Sequence, residues 1–90
     1  MWEQLLPKLV GKKAHHTEDS YDHGIVEIID TRITPNAGHP IIELRNKNEA
    51  GDKWWAGSNS KYIGIQGQDG HLAITTTGPY MSLSWQFLED

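Results

Sequence analysis

Ninety residues carrying a net charge of −4 and no cysteine fit one domain, with no room for two independent cores and no disulfide framework. Lys and Arg are too scattered for a nucleic-acid footprint, and no apolar run approaches the length of a membrane span. Glu3 and Pro7 interrupt any signal-peptide core, so a cytoplasmic protein is expected.

The first predicted element is a short helix over residues 1–13. Trp2, Leu5, Leu6, Leu9 and Val10 recur at spacings of three and four, which makes one apolar stripe. Pro7 removes a hydrogen bond from its interior, and Gly11 followed by Lys12 and Lys13 suits its end. Residues 14–23 are polar and read as a loop, and residues 24–90 read as a β domain. Its first strand, 24–34, has Val26 and Ile28 on one face and Ile25, Ile29 and Ile33 on the other. Apolar residues on both faces imply a strand covered on two sides, or one that twists or bulges.

Pro35-Asn36-Ala37-Gly38 is a turn signal, and residues 39–45 return as the second arm of a hairpin. A short strand surrounds Trp54 and Trp55, followed by the turn Gly57-Ser58-Asn59-Ser60. Strands at 62–66 and 71–76 join through Gly67-Gln68-Asp69-Gly70, where Asp-Gly is a hairpin cue. The final strand, 80–88, alternates with Met81, Leu83, Trp85 and Phe87 on the core face. The expectation is a mainly β domain of about six antiparallel strands in a small barrel or sandwich, with one short N-terminal helix.

Gly38-His39-Pro40-Ile41-Ile42 is echoed by Gly70-His71-Leu72-Ala73-Ile74, with Trp54 and Trp85 following at similar distances. Within residues 44–88, Lys61-Tyr62-Ile63, Asp69-Gly70-His71-Leu72 and Trp85-Gln86-Phe87 form a further pattern. That pattern resembles a single repeat of the β-trefoil domains of fascin-like and ricin-B-like proteins. A whole trefoil needs three such units, which exceeds this chain.

Candidate sites are few. Adjacent strand residues face opposite ways, so one of Trp54 and Trp55 enters the core and the other covers a surface. With Asn59, Gln68 and Asp69 in neighbouring turns, they form a candidate partner or ligand site for a protein or a carbohydrate. Three histidines and three carboxylates crowd residues 15–23 without a known ligand spacing. His15, His16 and His23 are the candidate metal ligands, with His15, His23 and one carboxylate the favoured set. His39 and His71 each follow a turn glycine and could meet as a histidine-based catalytic pair. No nucleophile motif or phosphate-cradling loop supports an enzyme, so no catalytic residue and no cofactor is assigned. The sequence thus points to a non-enzymatic binding module, expected as a homodimer because a small core gains from oligomerisation. The alternative is a small metal-dependent or histidine-based enzyme.

Overall fold

The computed structural model describes residues 1–68, 70–77 and 81–88. An α-helix, α1 (Trp2–Leu9), precedes seven strands: β1 (Lys13–Glu18), β2 (Tyr21–Thr34), β3 (Ile41–Lys47), β4 (Lys53–Asn59), β5 (Ile63–Gln68), β6 (His71–Thr76) and β7 (Leu83–Phe87). All pairs are antiparallel, and the strands form one sheet in the order β4-β3-β2-β1-β7-β6-β5. β4 and β5 are the two edges, yet only Ser60, Lys61 and Tyr62 separate them along the chain. A connection that short spans at most about 14 Å. The sheet must therefore curl until its edges approach at that corner, where the Tyr62 N–H bonds the Asn59 carbonyl at 2.8 Å. No ladder joins β4 to β5 among the described residues, so the sheet is sandwich-like and does not close into a barrel.

α1 contributes Leu6 and Leu9 to the core inside the curl, with Trp2 and Leu5 packed beside them. The helix stops at Leu9, four residues earlier than the stripe suggested, and Val10 is 46 % exposed. Pro7 deprives the Glu3 carbonyl of its intrahelical N–H. The chain then turns through Gly11, at φ 91°, whose N–H bonds the Ile28 carbonyl at 2.7 Å. That bond ends the helix and starts the first strand.

Residues 14–23 are not a loop. They form most of β1 and the start of β2, and β1 lies at the centre of the sheet. This accounts for a seventh strand where about six were expected. The inward residues of β1 are Ala14, His16 and Glu18. Two bulges then set the faces of the long β2. Across from β1 the register slips between His15↔Ile25 and Thr17↔Asp22, so His23 and Gly24 together oppose His16. Across from β3 it slips between Ile28↔Asn46 and Asp30↔Arg45, leaving Ile29 as the extra residue. Each extra residue reverses the inside-outside parity beyond it. Val26 and Ile28 face inward, and after the second bulge so does Ile33, which explains the apolar residues at both parities.

β7 delivers Leu83, Trp85 and Phe87 to the core as the alternation implied. Met81 does not belong with them: it precedes the strand and is 54 % exposed. β4 and β5 each run further than expected, so Gly57, Ser58 and Asn59 are strand residues and Gln68 ends β5.

Gly57 pairs with Glu43, and a Cβ there would overlap the Ile42 carbonyl oxygen and lie 2.7 Å from the Glu43 Cα. Backbone atoms inside a ladder cannot step aside cheaply. Gly57→Ala is expected to cost about 3 kcal/mol, seen in thermal unfolding as a Tm lower by about 10–20 °C.

Candidate functional site

The first bulge gathers the polar residues of the chain's most acidic stretch around the centre of the sheet. Without it, alternation back from Val26 would turn Asp22 inward and His23 outward. With it, His23 and Tyr21 join the face of His16 and Glu18, while Asp22 joins His15 on the other face. Gly24 makes this possible: its φ of 71° is left-handed backbone that an L side chain adopts only with strain.

His16 is fully buried. Its ring lies on Trp85, its cross-strand partner in β7, with centroids 4.3 Å apart and planes 14° apart. His23 stacks on the same imidazole at 5.3 Å and 12°. Trp54 packs on His23 at 4.5 Å, and Tyr21 meets His23 edge-on at 4.6 Å. Five rings therefore run from the deepest part of the core to Tyr21, which is 65 % exposed.

Hydrogen bonds fix the orientation of this stack. The Trp85 Nε1–H donates to Asn46 Oδ1 at 2.8 Å, and the Asn46 amide nitrogen donates to the carbonyls of Leu44 and Trp54. The His16 Nδ1–H donates to the Ser84 carbonyl at 2.9 Å, while Nε2 lies 2.8 Å from Glu18 Oε2. The same carboxylate oxygen accepts the Trp54 Nε1–H at 2.6 Å and lies 3.5 Å from His23 Nε2. The side chains of Glu18 and His23 are each only 20 % exposed.

Burial is the largest influence on His16 and holds its pKa below the ordinary value. The Ser84 carbonyl and the Glu18 carboxylate oppose that shift, and His23 adds to it. A neutral imidazole has one N–H, but His16 has an acceptor at each nitrogen. A bond to Ser84 leaves the Nε2 lone pair facing the carboxylate, a contact that becomes favourable when a proton or another cation lies between them.

The histidines expected as metal ligands are thus divided. His16 and His23 meet, with Glu18 as the carboxylate, whereas His15 faces the other way and bonds Asp22 Oδ1 at 2.6 Å. The Asp22 carboxyl is held below its usual range, first by the Gly24 N–H and then by His15. Trp54 enters the cluster. Trp55, on the opposite face of β4, lies under Arg32, whose Cζ is 4.0 Å from the ring centroid, with Arg45 at 5.6 Å. Asn59 shapes its own corner, donating to the His39 carbonyl and accepting from the Lys61 N–H. Gln68 ends β5, and Asp69 lies outside the described residues. His39 sits near the Asn59 corner and His71 at the β5–β6 turn, so the chain places them at opposite ends of β5. Glu18, Tyr21, Asn46 and Trp85 are the site residues that sequence reasoning did not single out. The signal for Glu18 was its i, i+2 spacing from His16 on one strand face.

The chain matches no family model, no curated protein and no solved structure. No helix among the described residues is long and apolar enough to cross a membrane.

Two outcomes test this geometry. Gly24→Ala is expected to cost about 1–2 kcal/mol, and Gly24→Asn less, because Asn tolerates positive φ; urea unfolding of both variants measures the order. His16 binds its proton less readily folded than unfolded, so its contribution to stability is complete above the unfolded value of about 6.5. That contribution is lost as pH falls from there through the lower folded value. The lowered carboxyls, Glu3 and Asp22, act only below about pH 5. In metal-free protein the urea midpoint should therefore drop between pH 7 and pH 5, and the His16 ring should titrate below the ordinary imidazole value by NMR.

Proposed function

We propose that the protein is a non-enzymatic interaction module that recognises a protein partner through the tip of the β1–β2 hairpin. The exposed side chains Tyr21 and Met81 on a cross-braced turn carry this reading. Asp19, at φ 53°, donates its N–H to the Ser82 carbonyl at 2.7 Å and accepts the Ser82 N–H on Oδ1 at 2.9 Å. That pair ties the hairpin turn to the residue after Met81. Tyr and Met are side-chain types enriched at interfaces, and Tyr21 is already held by His23, so little ordering remains for binding to supply.

A protein partner suits the tip better than a carbohydrate. The indole N–H of Trp54 is used by Glu18 and one of its faces by His23, while Trp55 has Arg32 over its ring. Sugar stacking needs an open aromatic face, and each of these two rings already has one face covered. The partner is either a second copy or a different protein.

Benzoylphenylalanine placed at position 21 or 81, with position 49 as control, tests the reading in the cells that make the protein. The expected result is one defined adduct from both tip positions and none from the control. Its mass doubles that of the 10.2 kDa chain if the partner is a second copy. Tyr21→Ala should then weaken the captured complex by about 30-fold, as for a loss of ~2 kcal/mol at an interface anchor. Equal labelling from all three positions, or a complex indifferent to Tyr21→Ala, overturns the proposal.

A further inference from the structure

We infer that His16, Glu18 and His23 form a binding site for one divalent transition-metal ion, with the two imidazoles and the carboxylate as its protein ligands. One ligand atom from each residue can be chosen so that all three lie within 4.8 Å of one another. An ion bound at about 2.0–2.2 Å from each needs its donors no more than roughly 4.2 Å apart. The Glu18 oxygen already satisfies this with both rings, at 2.8 and 3.5 Å. The separation of the two imidazoles is what has to close, and because the rings stack 12° from parallel, His23 must turn out of the stack to aim Nε2 at an ion that His16 also binds.

Three independent features aim these groups at a cation. The Ser84 carbonyl fixes the tautomer of His16 with Nδ1 protonated, which turns the Nε2 lone pair toward the cluster. Metal-bound histidines are oriented by this kind of outer bond. The Trp54 Nε1–H orients the carboxylate in the same way from the other side. Finally, the bulge at Gly24 sets which side chains at the start of β2 face the cluster. Its effect is to bring His23 inward, and bulges next to sites commonly re-aim a side chain.

Two imidazoles and a carboxylate select zinc, cobalt, nickel, copper or ferrous iron over magnesium or calcium, which take oxygen ligands. Three protein ligands leave at least one position to water. The inference stands apart from the interaction reading, because it requires neither Tyr21 nor Met81; crosslinks collected in chelator keep the two separable.

The test uses the untagged chain, stripped with chelator and titrated with cobalt(II) and then zinc. Saturation at one ion per chain is expected, with a visible cobalt spectrum abolished by zinc and a change in tryptophan fluorescence, since Trp54 and Trp85 adjoin the ligands. His23→Ala and Glu18→Gln should each weaken zinc binding at least ~10-fold, while His15→Ala, on the opposite face, should bind like the unaltered chain. His16→Ala would open a hole against Trp85, so the two outer variants, checked for unchanged circular dichroism, decide. Absence of saturable one-to-one binding overturns the inference. So does zinc binding that survives both outer variants, or that is lost with His15.

Discussion

An imidazole sealed in the core with an acceptor at each ring nitrogen is the constraint around which this sheet is arranged. His16 sits on β1, the middle strand, between a β2-β3-β4 half and a β7-β6-β5 half. It stacks on Trp85 and bonds Ser84 on one side, and it faces His23 on the other. Trp85 in turn bonds Asn46 on β3, and Glu18 bonds Trp54 on β4. One connected set of side chains thereby spans five strands. A slip of one residue anywhere among them would turn a ring or a donor to the wrong face. The same slip would turn the apolar residues outward, so burial and the polar network specify one register together.

The same network explains why the strand carrying the most apolar residues is also the most irregular. β2 must serve two neighbours with different needs. Along β1 it supplies His23 to the cluster and Val26 to the core, and along β3 it supplies Ile28 and Ile33 to the core. A strand of fourteen residues with strict alternation cannot do both, because Val26 and His23 have opposite parity. Two bulges resolve the conflict, and the first uses glycine where the backbone must turn left-handed. The first irregularity follows from placing polar side chains inside, and the second from turning Ile33 inward.

How much was legible follows from the same point. Leu83, Trp85 and Phe87 were readable because they are themselves apolar and their strand is regular. The β2–β3 hairpin was readable because its turn residues have few alternatives. β1 was not, because its inward residues are Ala14, His16 and Glu18, and hydrophobic periodicity has no means of registering a buried histidine or glutamate. Met81 shows the opposite error: correct parity and correct chemistry, but beyond the last ladder pair at Leu83. His16 and His23 were in view as a crowded stretch, while the choice between His15 and His16 depended on parity in a strand not yet recognised. Trp54, thirty-six residues from Glu18, could not be joined to the cluster without the sheet order.

The exposed tip is best understood as the outer end of that buried network. Tyr21 rests on His23, His23 on His16, and His16 on Trp85, whose N–H is held by Asn46. The turn beneath Tyr21 is separately pinned to Ser82, which lies beside β7, the strand of Trp85. Two attachments to the same strand, one through rings and one through backbone, leave the tip little freedom to rotate. An exposed tyrosine on a mobile hairpin would lose entropy on contact; one fixed this way has already been ordered by folding. A cation drawn in by His16, Glu18 and His23 would tighten the middle of the same column. The polar core and the presented surface are therefore consequences of one placement, that of His16 on the central strand.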